Sequence, residues 1–304
     1  MQVKSKSFLA ALTANITWGF VSIPFRAIKE YPADQILFFR ILVSLLICGI
    51  YILCFKRNAL KSDINTLMIR GNYKPHIILL LSGILITFNW YIFIYVVNEV
   101  NLSTAAFAYM ICPLITAAAG FIILKEKVTH VKLIAILVAT CSIIMLATGS
   151  FSNVAWAIVT ASFYAFYLIT QRVLQMFDKV VIIGFNMIVA IVMIFPLYLY
   201  HQYAFPMDLS FWINIFVIAT LFTLIPLLLS LYALKNLPSS TVGIIIYINP
   251  VVAFGVAFLY FHESITLTEV FAYIMLVIAV IIFNWNLIKG LPAKLGNKEI
   301  VNFE

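Results

Sequence analysis

Along most of its length the chain runs in apolar stretches of about 20 residues, each bounded by a few polar or basic ones. That spacing constrains the fold more than any other feature. A helix rising about 1.5 Å per residue needs roughly 20 apolar residues to cross a hydrocarbon layer. The runs fall at approximately 8–25, 34–54, 76–97, 103–124, 130–148, 153–173, 180–200, 212–233, 240–261 and 268–288. They are continuous, not alternating, which excludes the shorter two-sided strands of a barrel. A chain in lipid must satisfy its own backbone hydrogen bonds, and a helix does so within each segment. The sequence therefore predicts an all-α integral membrane protein of ten transmembrane helices. Of its 304 residues 64% are hydrophobic and 10% charged, against roughly half and a quarter in soluble domains.

The formal charge of +8 reads as a topology signal. With the N-terminus in the cytoplasm, sixteen of the nineteen lysines and arginines fall on the cytoplasmic side and only Arg26, Lys29 and Arg40 toward the outside. That is the positive-inside asymmetry of a cell-membrane protein with both termini cytoplasmic. Lys4 and Lys6 precede the first run, but no small-residue cleavage site follows, so the run is read as a retained span. The basic residues form no aromatic-studded patch, and no nucleic-acid partner is expected. The lipid bilayer is the expected partner, with a small-molecule solute; oligomeric state is left open.

The chain also repeats. At an offset of 137 residues Tyr95 meets Tyr232, Ser103-Thr104 meets Ser240-Thr241, Pro113 meets Pro250 and Glu126 meets Glu263. At a slightly larger offset Trp18 and Arg26 fall on Tyr164 and Arg172. The expected units are 8–149 and 153–288, followed by a cytoplasmic tail at 289–304. Each unit holds an odd number of spans, so the second must sit upside down relative to the first: two inverted five-helix repeats.

Trp18-Gly19, Phe39-Arg40, Asn89-Trp90, Tyr95 to Asn98, Ser103-Thr104-Ala105, Tyr109 to Pro113 and Lys125-Glu126-Lys127 form an ordered set. Ile225-Pro226-Leu227, Leu237 to Thr241 and Tyr247 to Pro250 continue it. The set resembles the drug/metabolite transporter superfamily, EamA type, and within it the RarD-like branch. The resemblance covers about residues 8 to 288. It implies inverted halves around a central cavity, and export or exchange of amino acids and other small metabolites. One position departs from it: Cys112 precedes Pro113 where the resemblance leads one to expect asparagine, whereas Asn249 does precede Pro250.

Polar groups inside a membrane are costly, so each is a functional candidate. Arg40 leads: about 9 Å into its helix at about 1.5 Å per residue, it can offer a fixed positive charge to a carboxylate. The opposing readings are snorkelling to headgroups or a structural pair with Asp34. Trp18, Asn89, Trp90, Tyr109, Tyr164, Tyr247 and Asn249 are the other substrate-binding candidates, since aromatic rings and polar tips suit a cavity for amphipathic solutes. The opposing reading is an interfacial belt or helix–helix hydrogen bonds. Asn98 is expected to be a cap, and Arg26 and Arg172 anchors at helix ends. Pro113, Pro226 and Pro250 are expected to bend their helices.

The four histidines are dispersed and the four cysteines lie in apolar runs, so neither metal nor cofactor is expected. No phosphate-binding GxxxxGK[ST] pattern occurs. No intramembrane acid pair suggests a catalytic residue, and the chain is not expected to be an enzyme. The sequence thus predicts a secondary transporter moving amino-acid-like or other small organic solutes, by export, through alternating access. The alternative is a membrane-embedded enzyme or sensor built on a helical bundle.

Overall fold

The computed structural model describes residues 2–68, 73–124, 130–149, 151–236, 245, 248–264, 266–283 and 285. Its elements are α1 (Gln2–Gly19), α2 (Ser22–Ala27), α3 (Ala33–Phe55), α4 (Arg57–Leu67), α5 (Lys74–Tyr95), α6 (Leu102–Leu124) and α7 (His130–Gly149). After these come α8 (Phe151–Val173), α9 (Lys179–His201), α10 (Leu209–Ala219), α11 (Ile225–Asn236), α12 (Ile248–Gly255) and α13 (Leu267–Phe283). π-turns follow α5, α10 and α12, at Val96–Val100, Thr220–Leu224 and Val256–Tyr260. Six helical segments are long and apolar enough to cross a bilayer: Lys6–Ala27, Ala33–Phe55, Lys74–Val100, Phe151–Gln171, Lys179–His201 and Leu209–Ser230. Shorter apolar helices lie in the four other runs. Large apolar side chains such as Ile50, Leu53, Val192 and Leu259 point outward, as lipid requires and water would not allow.

Helices that the repeat makes equivalent are related in packing. The pair α5·α8 has its counterpart in α11·α1, α6·α8 in α12·α1, and α5·α9 in α10·α3. The pairs α3·α9, α6·α12 and α7·α13 join equivalent helices to each other. Two contacts fix direction. At the end of α3, Lys56 Nζ donates to Asp178 Oδ2, just before α9, at 2.8 Å. At the start of α3, Asp34 Oδ2 is paired with His201 Nδ1, the last residue of α9, at 2.8 Å. Helices α3 and α9 therefore run antiparallel, as equivalent helices of an inverted repeat must.

Small residues set the closest approaches. A Cβ on Gly19 would stand 2.5 Å from Val252 Cβ and 3.1 Å from the Asn249 carbonyl oxygen, so α1 meets α12 backbone to backbone. Ala108, Ala139, Ala157, Ala161, Ala165, Ala272 and Ala279 bring α6, α7, α8 and α13 together, and Ser142 donates to the Ala272 carbonyl at 2.6 Å. Elsewhere rings fill the space: Phe39 lies edge-on to Phe211 and Trp212, and Phe38 stacks on Tyr198 at 4.4 Å.

At the Lys56 end, outside the spans, Asp178 caps α9 by accepting from the Val180 amide at 2.9 Å. Asp63 Oδ2 accepts from the Asp178 amide at 3.0 Å. Burial raises the Asp178 carboxyl, but Lys56 and the helix amides outweigh it and hold it below its ordinary value. Burial pushes the Asp63 carboxyl up, as does the nearby Asp178 charge, against the lowering hydrogen bond.

Candidate functional site

Arg40 sits in the second turn of α3 and is 7% exposed. Its guanidinium lies 5.1 Å from the Trp90 ring centre and 5.6 Å from that of Phe25. Nε and one terminal nitrogen both reach Thr223 Oγ1, at 3.4 and 3.3 Å. Thr223 stands in the π-turn before Pro226 and donates its own hydroxyl to the Ile218 carbonyl at 2.8 Å. Among the described residues no carboxylate pairs with Arg40. Of the opposing readings, Asp34 is occupied by His201 and Tyr203, and the guanidinium is buried against the Phe25 and Trp90 rings.

The rings offset much of the insertion cost of Arg40, but its hydrogen bonding is incomplete. An arginine at mid-membrane costs about 2.5–3.5 kcal/mol on insertion scales. Two cation–π contacts return about 0.5–2 kcal/mol each. The Thr223 contacts are long, near the limit at which such bonds carry weight. Guanidinium has five N–H donors in a planar fork, and here two of them share one neutral oxygen. A planar anion is the ligand whose geometry uses the rest.

From Arg40 a ring-lined wall continues through both halves of the chain. Phe25 meets Phe93 at 6.2 Å, Phe93 meets Tyr109 at 5.4 Å, Tyr109 meets Tyr164 at 5.6 Å and Tyr164 meets Tyr167 at 5.8 Å. The three tyrosines lie deep in the bundle, yet each retains accessible surface. Asn89 donates to the Thr160 carbonyl at 3.0 Å, and its Oδ1 is buried without a partner. Asn186 on α9 has both amide atoms buried and unpartnered, and it lies close to Tyr167. Arg40, the tyrosines and the two buried amides thus cluster along one aromatic wall.

The structure brings together Arg40, Asn89, Trp90, Tyr109 and Tyr164 of the expected residues. Asn249 lies at the close α1–α12 contact at Gly19, and Trp18 precedes that glycine on α1. Tyr247 lies outside the described residues. Pro113 is in the middle of α6, Pro226 is the second residue of α11 just after a π-turn, and Pro250 is the third residue of α12. One expectation is corrected. Asn98 does not cap: it lies in the π-turn with both amide atoms buried and unpartnered. Asn101 caps α6, its Oδ1 accepting from the Thr104 amide at 2.6 Å. Arg26, expected as an anchor, is in the last turn of α2, where it pairs with Glu263 and donates from Nε to the Val97 carbonyl at 3.1 Å.

Sequence reasoning missed Thr223 and Asn186. Asn186 was findable, since 146 residues separate it from Arg40, the same offset that relates Trp18 to Tyr164 and Arg26 to Arg172. Thr223 had no such signal, because it depends on a π-turn.

The EamA-like transporter family model matches this chain twice, over residues 5–148 and 151–285. The uncharacterized transporter YojE of Bacillus subtilis (strain 168) is 26% identical, over 93% of this chain and 95% of its own. Protein RarD of Escherichia coli (strain K12) is 27% identical, over 90% and 92%. Protein RarD of Streptomyces exfoliatus is 25% identical, over 90% and 86%. A solved crystal structure shares the fold with a TM-score of 0.62 at 11% identity, covering 91% of this chain and 96% of that one. With both repeats matched and apolar helices throughout, the chain belongs to the EamA-like transporter family and is a multi-pass membrane transporter.

Proposed function

We propose that the protein is a secondary transporter of the cell membrane that exports small organic solutes bearing a carboxylate or similar anionic group. Ten helices form two inverted halves, 8–149 and 153–288, with both termini and the 289–304 tail in the cytoplasm. The solute binds between the halves and the two faces open in turn. The observation that carries this reading is Arg40: a buried guanidinium with no carboxylate partner among the described residues, set in a wall drawn from both halves. A permanent charge in that setting is stabilised by an anion that comes and goes. Amino-acid-like solutes fit best, because the same space carries aromatic faces and spare amides for the rest of the molecule.

At the end opposite Lys56, Glu263 joins Arg26 to the start of α6, accepting from the Leu102 and Ser103 amides at 2.9 and 3.0 Å and from the Ser103 hydroxyl at 3.0 Å. These contacts bind first half to second, and alternating access requires them to break when that face opens. The test is reconstitution in liposomes loaded with a mixture of metabolites, followed by identification of those released. Release of carboxylate-bearing solutes only from vesicles containing the protein is the expected result. No release of any solute would overturn the reading.

A further inference from the structure

Beside the amphipathic helix α4 lies a cavity of about 300 Å³ that takes no part in the Arg40 site. Its walls are Leu45, Gly49 and Ile52 of α3 and Val181, Phe185 and Ile188 of α9. On each helix these residues recur every three or four positions, so the cavity is a groove along the helices, about 10 Å long at about 1.5 Å per residue. Glycine makes it: a Cβ on Gly49 would meet nothing within 4 Å. One end is covered by Leu60, Ile64 and Leu67, the apolar face of α4.

We propose that this groove is a binding site for an anionic phospholipid of the leaflet at the Lys56 end, which the charge asymmetry assigns to the cytoplasm. One acyl chain lies between α3 and α9, and the phosphate meets Arg57 and Lys61. Three observations select this occupant. First, the groove opens on the lipid-facing surface: the lining residues Leu53 and Ile188 are themselves 62% and 50% exposed, beside the outward-pointing Leu46 and Val192. Second, its lining is apolar apart from Asp63, and that carboxylate already accepts the Asp178 amide. Nothing remains to orient a polar solute, whereas a hydrocarbon chain needs no orienting group. Third, Arg57 and Lys61 are exposed, one turn apart, and lie together along the Ile64 edge of the apolar face of α4. Lys56 is held by Asp178, but among the described residues neither Arg57 nor Lys61 has a carboxylate partner. Basic residues beside the apolar face of an interfacial helix attract anionic headgroups.

The test uses the full-length protein in lipid nanodiscs doped with photoactivatable phosphatidylglycerol or phosphatidylcholine, each with the reactive group in the acyl chain. Crosslinks are mapped by peptide mass spectrometry. The parent should concentrate label on residues 45–53 and 181–188, with phosphatidylglycerol at least threefold above phosphatidylcholine. Gly49→Phe, which fills the groove from an open position, should reduce that label at least fivefold. Gly49→Ala reports that a side chain here is tolerated and should keep most of it. Arg57→Gln with Lys61→Gln should abolish the preference for phosphatidylglycerol and leave labelling by phosphatidylcholine unchanged. Label spread evenly over the lipid-facing helices, or unaltered by Gly49→Phe, overturns the site. Equal labelling of the parent by both lipids overturns the headgroup assignment. The measurement reads lipid occupancy without transport, so it stands apart from the solute proposal.

Discussion

Arg40 and Asn186 occupy the same place in two equivalent helices: each is the eighth residue of a 23-residue helix, and the two helices run antiparallel. One carries a buried charge and the other a buried amide with both polar atoms free of partners. The repeat thus supplies one polar group from each half, and the two differ in kind. In the proposed site such a pair would hold an asymmetric molecule in one orientation.

Unsatisfied buried polar atoms cost about 1–3 kcal/mol each. If Asn186 is kept for binding and not for packing, Asn186→Leu should raise or preserve thermal stability in detergent and lower transport at least tenfold. A lower melting temperature with unchanged transport would assign Asn186 to structure alone.

How much of this was legible beforehand depends on how local each feature is. Apolar run length located six helices long enough to cross a bilayer and shorter apolar helices in the other four runs, because lipid leaves helices no competitor, and Pro113 falls in mid-helix as read. Arg40 was visible as a charge in an apolar run. Its neighbours were not, because which rings face it depends on helix rotation and on the π-turn that delivers Thr223. Asn98 and Asn101 show the same limit. Both sit near a span end, and only the π-turn decides which one reaches a free helix amide.

The Arg26–Glu263 contact predicts a switchable closure. With the four native cysteines replaced, Arg26→Cys and Glu263→Cys together should be bridged by a bifunctional methanethiosulfonate reagent long enough to span an arginine–glutamate pair, with transport stopped and then recovered on reduction. Crosslinked protein that transports at the parental rate would show that this face need not open.

The glycines separate into two kinds. Gly19→Ala places a Cβ 2.5 Å from Val252 and should destabilise by about 1–3 kcal/mol through overpacking. Gly49→Ala meets open space and should stabilise by up to about 1 kcal/mol through helix propensity. Thermal melting of both variants against the parent checks the pair. A destabilised Gly49→Ala with a neutral Gly19→Ala would contradict the packing described.

The Asp63–Asp178–Lys56 cluster sets a pH dependence. The folded Asp63 carboxyl is raised, so its ionised form opposes folding; that penalty appears as pH rises through the folded value and is absent well below the ordinary carboxylate range. Asp63→Asn, which keeps an acceptor for the Asp178 amide, should melt higher than the parent at pH 7 and lose the advantage toward pH 4. Asp178 is lowered and Lys56 raised. Their pair therefore stabilises above the ordinary carboxylate range and below the ordinary lysine range, by roughly 1 kcal/mol or less for a partly exposed pair. Lys56→Gln should lower the melting temperature slightly at pH 7, and this loss should shrink as acid protonates Asp178.

The central claim is that Arg40 grips an anionic group of the solute between the two halves. It is tested most directly by uptake of a released carboxylate solute into proteoliposomes containing parent, Arg40→Lys or Arg40→Ala at equal reconstituted amounts. Lysine keeps the charge but loses the planar fork. The account predicts transport falling about tenfold for Arg40→Lys and a hundredfold or more for Arg40→Ala, as expected from about 1.4 kcal/mol per tenfold change. Parental rates from Arg40→Ala would contradict it.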